Sequence, residues 1–202
     1  YRRTAGDTAL SNVQVFNNTA GSGGGGLWSD GGVSSGTVAT VIDSSFTNNT
    51  TNSGDAGGLW LENETITLTN VAIDDNSITN GSTSDYGGGA YLSVGTGGVT
   101  FEGGSLSNNS ASGFGGGLYT NGSLTISELD ISDNSAGISG GGFYANSDVS
   151  ITGTASDPIL IQRNTAETQG GGFYQNNGDT TLQYVTIGDT SLEDNADANV
   201  AD

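Results

Sequence analysis

The chain has 202 residues, among them 36 Gly, 1 Pro and no Cys, Met or His, and its 22 acidic against 3 basic side chains give a net charge of −19. Nucleic acid is excluded as a partner, because binding it depends on cations that neutralise phosphate; an anionic membrane surface is disfavoured for the same reason. Without Cys there is no disulfide framework and no thiolate metal centre, and no apolar run reaches the length of a membrane span, so direct membrane insertion is not expected.

Hydrophobic content of 32% is low for a globular domain. It suits a solenoid, in which each turn buries only a thin file of side chains against its neighbours. Reading from the N-terminus, Val15 is followed three places on by Asn18. The same apolar-x-x-Asn motif returns at 46–49, 73–76, 106–109, 131–134, 161–164 and 192–195. Between its members runs a second motif, Gly-Gly-apolar-aromatic, ending at Trp28, Trp60, Tyr91, Tyr119, Tyr144 and Tyr174. The two alternate strictly, with a period of about 30 residues, which is the signature of a repeat architecture.

Each period has the same parts in the same order. After the Asn comes a segment of small residues, such as Thr19-Ala20-Gly21-Ser22, then the Gly-rich strand, then a polar turn. A second strand alternates apolar with Ser, Thr or Glu, as in Ile66-Thr67-Leu68 and Leu124-Thr125-Ile126. A third, such as Val71-Ala72-Ile73, carries the apolar residue of the Asn motif. Period-two alternation between turn residues reads as strand, and no apolar stripe recurs at helical spacing. The expected fold is therefore all-β: a right-handed, single-stranded parallel β-helix of about seven turns over residues 1–202, with three short strands per turn rising about 4.8 Å each.

Side chains two apart on a strand share a face. Leu27, Leu59, Ala90, Leu118, Phe143 and Phe173 are thus placed inside, and Trp28, Trp60, Tyr91, Tyr119, Tyr144 and Tyr174 outside as an exposed or half-exposed ladder. Asn18, Asn49, Asn76, Asn109, Asn134, Asn164 and Asn195 form a structural file, because an Asn at each corner bonds backbone and its equivalents above and below. A second polar file precedes it: Asn17, Asn48, Asp75, Asn108, Asp133, Arg163 and Asp194, with Arg163 set to pair with an Asp in an adjacent turn.

The motifs resemble the Phe-x-x-Asn and Gly-Gly-Ala-aliphatic repeats of the chlamydial polymorphic membrane proteins and of related β-helix surface proteins. The first motif is literal in Phe46-Thr47-Asn48-Asn49 and degenerate elsewhere; the second departs further, as Gly-Gly-Leu-Trp or Gly-Gly-Phe-Tyr. The resemblance spans the chain and implies a secreted, autotransporter-passenger or adhesin-like solenoid.

Parallel β-helices also carry polysaccharide lyases and hydrolases. Here Lys and His are absent and no insertion builds a cleft around a carboxylate pair, so an enzyme is not expected. The function read from the sequence is a non-catalytic, extracellular or cell-surface structural protein, with a carbohydrate-binding aromatic ladder as the alternative. Cell-surface polysaccharide is a candidate ligand. No cofactor is expected; Asp74, Asp75, Asp133 and Asp194 are weak candidates for Ca²⁺. Sequons in turns make Asn63, Asn80 and Asn121 candidate glycan acceptors. The chain starts and stops at nearly the same phase of the repeat and lacks capping elements, so it reads as a section of a longer solenoid or as a protomer whose ends stack on further copies.

Overall fold

A computed structural model describes residues 2–3, 6–32 and 36–188; Asp194 and Asn195, with the seventh Asn motif, lie outside the described residues. The described chain contains no helix and winds as a parallel β-solenoid of about six turns. Every strand pairing in it is parallel, and each strand pairs with its equivalents one turn before and after.

Three sheets run along the rod. The aromatic sheet has seven strands, from Arg2–Arg3 through Leu27–Gly32, Leu59–Asn63, Ala90–Val94, Leu118–Thr120 and Phe143–Ala145 to Phe173–Gln175. The long sheet contains ten-residue strands at Val38–Thr47, Thr65–Asp74 and Gly98–Ser107. The corner sheet is six two-residue strands that follow the Asn motif, among them Thr50–Thr51, Ser77–Ile78 and Ser110–Ala111.

Three strands per turn are present, but the segments are apportioned differently from the sequence reading. The second and third expected strands are two halves of one sheet, and the small residues after Asn supply the missing third strand. The cause is a single left-handed residue at the join. Asp43 and Asn70, at φ of 48° and 52°, bend the strand without ending its ladder, whereas at Glu128, at φ of 53°, it divides into Ser123–Ser127 and Asp130–Ser132 within the same sheet.

The interior is a stack of files, one side chain per turn. Phe46, Ile73, Leu106 and Ile131 are aligned by register and fully buried; Leu59, Ala90, Leu118 and Phe143 form the matching file on the aromatic sheet. The expected inward direction of that second file is therefore observed.

Between these files stands the Asn ladder. Asn49, Asn76, Asn109, Asn134 and Asn164 are 0–2% exposed. The backbone N–H and the Nδ2 of Asn76 both donate to Asn109 Oδ1 at 3.0 Å. Asn109 repeats both bonds to Asn134 Oδ1 at 3.0 Å, and its Nδ2 also donates backwards to the Ile73 carbonyl at 2.8 Å. The same set recurs from Asn18 to Asn164. Each interior carboxamide thus uses both donors and both lone pairs, so a polar group that would otherwise be costly to bury is fully satisfied.

The residue before each Asn turns the corner in the left-handed region: Asn48, Asp75, Asn108, Asp133 and Arg163 have φ of 52–58°. Asn and Asp tolerate that conformation better than other L-residues. Gly58 is required for a different reason, since a Cβ there would sit 2.8 Å from Asn76 Cγ and 2.8 Å from the Gly89 carbonyl oxygen. The Gly-Gly pair lets the aromatic sheet close down on the ladder.

Asn109→Ala removes four of these bonds and strands the Asn76 amide and the Ile73 carbonyl. The expected loss of unfolding free energy is about 3–5 kcal/mol, whereas Asn18→Ala, on an exposed end turn, costs about 1 kcal/mol or less. Urea denaturation followed by circular dichroism compares them, and equal losses would contradict the ladder's role.

Candidate functional site

The outward side of the aromatic sheet gathers the groups with the most chemistry. Register places Trp28, Trp60, Tyr91, Tyr119, Tyr144 and Tyr174 in one file. All are half-buried except Tyr119, which is 9% exposed. Their rings lie on one another. Trp28 and Trp60 stack at 4.5 Å and 18°, Tyr91 and Tyr119 at 5.3 Å and 5°, and Tyr119 and Tyr144 at 5.3 Å and 16°. The column is broken at Trp60 and Tyr91, whose rings are tilted by 56° at 5.0 Å.

A second aromatic row, which sequence reasoning missed, covers the column beside this break. Tyr86 and Phe114 pair through an isolated bridge and stack at 5.5 Å, and Tyr86 lies 4.5 Å from Tyr119. The available signal was an aromatic immediately before a Gly triplet, in Tyr86-Gly87-Gly88-Gly89 and Phe114-Gly115-Gly116-Gly117. Gly87 and Gly115, at φ of 70° and 66°, turn the chain from this row into the aromatic strand.

Carboxylates border the break. Asp55 Oδ1 accepts the Tyr86 N–H at 2.8 Å, and Glu62 Oε1 accepts the Trp60 indole N–H at 2.7 Å. Burial pushes Asp55 up to about 6; the Tyr86 hydrogen bond opposes that shift, and the nearby Asp85 and Glu62 charges add to it. Glu62 is raised for the same leading reason. Burial also raises the Tyr91 phenol and lifts Tyr119 to about 12. The seam is thus a half-buried aromatic column with acids held partly out of water at its break.

This geometry defines what the ladder can do. Aromatic rings bind a sugar through an open face, and here most ring faces are taken by the rings above and below. Edges, phenolic hydroxyls and the flanking carboxylates are what remain for solvent. The column therefore contributes packing, with aromatic pairs worth about 0.5–1.5 kcal/mol each beyond area burial.

The other candidates distribute elsewhere. Asn63 is a correction: it is 0% exposed inside the aromatic sheet, its Nδ2 donating to the Gly6 carbonyl at 3.3 Å, so no glycan can be attached to it in the folded chain. Asn80 and Asn121 are on the surface, and Asn121 Nδ2 donates to the Val94 carbonyl at 3.1 Å. Of the Ca²⁺ candidates, Asp74 is bonded by Ser105 and by both the amide and hydroxyl of Ser107 at 2.7–2.9 Å. Asp133 receives two bonds from the Arg163 guanidinium at 2.7 and 2.8 Å, which hold its carboxyl below the usual carboxylate range. Asp75 occupies the left-handed corner. Among the described residues no three acidic or other metal-ligating side chains are grouped to hold an ion.

No family model, curated protein or solved structure matches the chain. The fold defines its class: an all-β parallel solenoid built from a repeat of about 30 residues.

The raised Asp55 makes a pH prediction. A carboxyl whose folded-state value lies above its unfolded one stabilises the fold fully below the unfolded value, and that stabilisation is lost as pH rises through about 6. Asp55→Asn, which keeps an oxygen for the Tyr86 amide, should melt higher than the parent chain at pH 7.5 and match it near pH 4. Thermal melts across that range check this. A variant less stable at pH 7.5 would mean that ionised Asp55 is a net stabilising group.

Proposed function

We propose that this chain is a non-catalytic structural section of an extracellular or cell-surface β-solenoid protein, of the adhesin-passenger or fibre type that its repeats resemble. The observation that carries the reading is the uniformity of the rod. One Asn, one aromatic and one aliphatic file continue turn after turn, and residues are added only in surface arcs such as 79–85 and 153–158. Enzymes on this kind of scaffold depart from uniformity to build a cleft with acid and base groups.

A rod of this kind acts as a rigid spacer, and its partners on this reading are further turns or further copies of the same solenoid at its ends. Half-satisfied end turns favour that. Val15 is only half-buried and Leu182 is 42% exposed on edge strands, whereas their register partners inside the rod, Phe46 and Ile151, are fully buried. Sugar binding along the aromatic ladder has less support, because the rings stack on one another.

The test is made in the source cell. An antibody against the folded chain should label intact, unpermeabilised cells, and external protease should abolish the signal. Labelling that appears only after permeabilisation would contradict a surface role.

A further inference from the structure

We propose that the outward face of the first half of the long sheet is an ice-binding surface, centred on the hydroxyl file Thr40, Thr67, Thr100, Thr125, Ser150 and Thr181. This goes beyond the scaffold reading, since a spacer needs rigidity whereas this face would recognise a crystalline solid.

The file follows from register. Thr40 pairs with Thr67, Thr67 with Thr100, Thr100 with Thr125, Thr125 with Ser150, and Ser150 with Thr181, without a shift. One hydroxyl therefore recurs at each strand spacing of about 4.8 Å. Two residues along the same strands, on the same face, lie Thr69, Ser127 and Thr152; on the other side lie Thr65 and Ser123. The flanking positions, about 6.6–6.8 Å away, carry hydroxyls only in part, since Ile42, Glu102 and Gln183 interrupt the first set and Val38 and Gly98 the second; the central file is the continuous one. Alternate residues hold it rigid from below: Ile66, Leu68, Val99, Phe101, Leu124 and Ile126 are 0–1% exposed.

These six hydroxyls are also uncommitted. None makes a hydrogen bond to another protein group among the described residues. The corner sheet differs, because its hydroxyls bond one another, Thr50 to Ser77 and Ser135 to Thr165 at 3.3 Å. In a chain with 22 acidic residues the central file has none. Glu102 lies on the adjacent file, and Asp148 and Asp179 lie at the strand starts.

The partner must be uncharged, flat, repetitive along the rod and able both to donate and to accept. A second copy docked face to face would bring together two chains of net charge −19, which repel. A sugar polymer would look for ring faces, and the aromatics stand on a different sheet. Crystalline water meets every requirement. Its oxygen repeat is close to the strand spacing, so successive hydroxyls stay in phase with it. Threonine hydroxyls donate and accept, while their methyl groups fill the spaces between. Because the file is already held rigid, little ordering entropy is lost on docking.

The purified chain is tested by partition into a slowly growing ice hemisphere and by inhibition of ice recrystallisation. Uptake into ice and slowed recrystallisation are expected. Both should be lost in T67Y/T100Y/T125Y, shown to be folded by circular dichroism, and kept in S77V/S110V on the corner sheet. Should the triple variant misfold, the single change Thr125→Lys at an exposed position should weaken uptake. A parent chain excluded from ice, a folded triple variant or a Thr125→Lys chain taken up like the parent, or loss on changing the corner sheet would overturn the proposal. So would retention on microcrystalline cellulose or chitin without uptake into ice.

Discussion

A buried carboxamide that can be satisfied only by another like it holds this rod together. Each interior Asn gives two bonds to the Asn of the next turn and one to a carbonyl of the previous turn. Its own oxygen receives two more. The constraint is strong because the alternative is an unpaired polar group in a dry interior. It is also propagating: a turn that lacked its Asn would damage both neighbours. Uniform repeats follow from this requirement, and variation is pushed into arcs that the ladder does not touch.

Close approach is the second requirement, and it explains the glycine content. The Gly-Gly pair lies against the ladder with no room for a Cβ, as at Gly58. Each turn must also bend sharply, and the bends fall at left-handed residues: one before each Asn, one in the middle of the long sheet, and one ahead of the Gly pair. Asn, Asp and Gly fill most of these places, and Ala56, Glu128, Arg163 and Tyr184 are departures, at φ of 58°, 53°, 52° and 53°. At Arg163 the departure brings a bidentate pair with Asp133.

Much of this was legible in the sequence because strict alternation of two motifs leaves few architectures. The all-β solenoid, the period, the inward file of Leu59 and Phe143 and the pairing of Arg163 with Asp133 all followed from spacing. What escaped depends on backbone geometry that residue types only hint at. Val71 and Leu68 read as separate strands because Asn70 looks like a turn, yet a single left-handed residue bends a strand without breaking its pairing. The two-residue corner strands are too short to show alternation. Tyr86 was hidden inside a surface arc, so the second aromatic row was missed. Asn63 sits in a sequon and looked like a turn residue, but it is the last residue of a strand and points inward.

The aromatic column and the hydroxyl file are two uses of one geometry. Stacking in register converts any residue repeated once per turn into a line of identical groups, closed where side chains reach each other and open where they do not. The central claim, that the Asn ladder is the least yielding part of the rod, is tested by hydrogen exchange followed by nuclear magnetic resonance. The side-chain Nδ2 protons of Asn76, Asn109 and Asn134 should exchange as slowly as the most protected backbone amides. Exchange at the rate of exposed Asn side chains, with the backbone still protected, would contradict it.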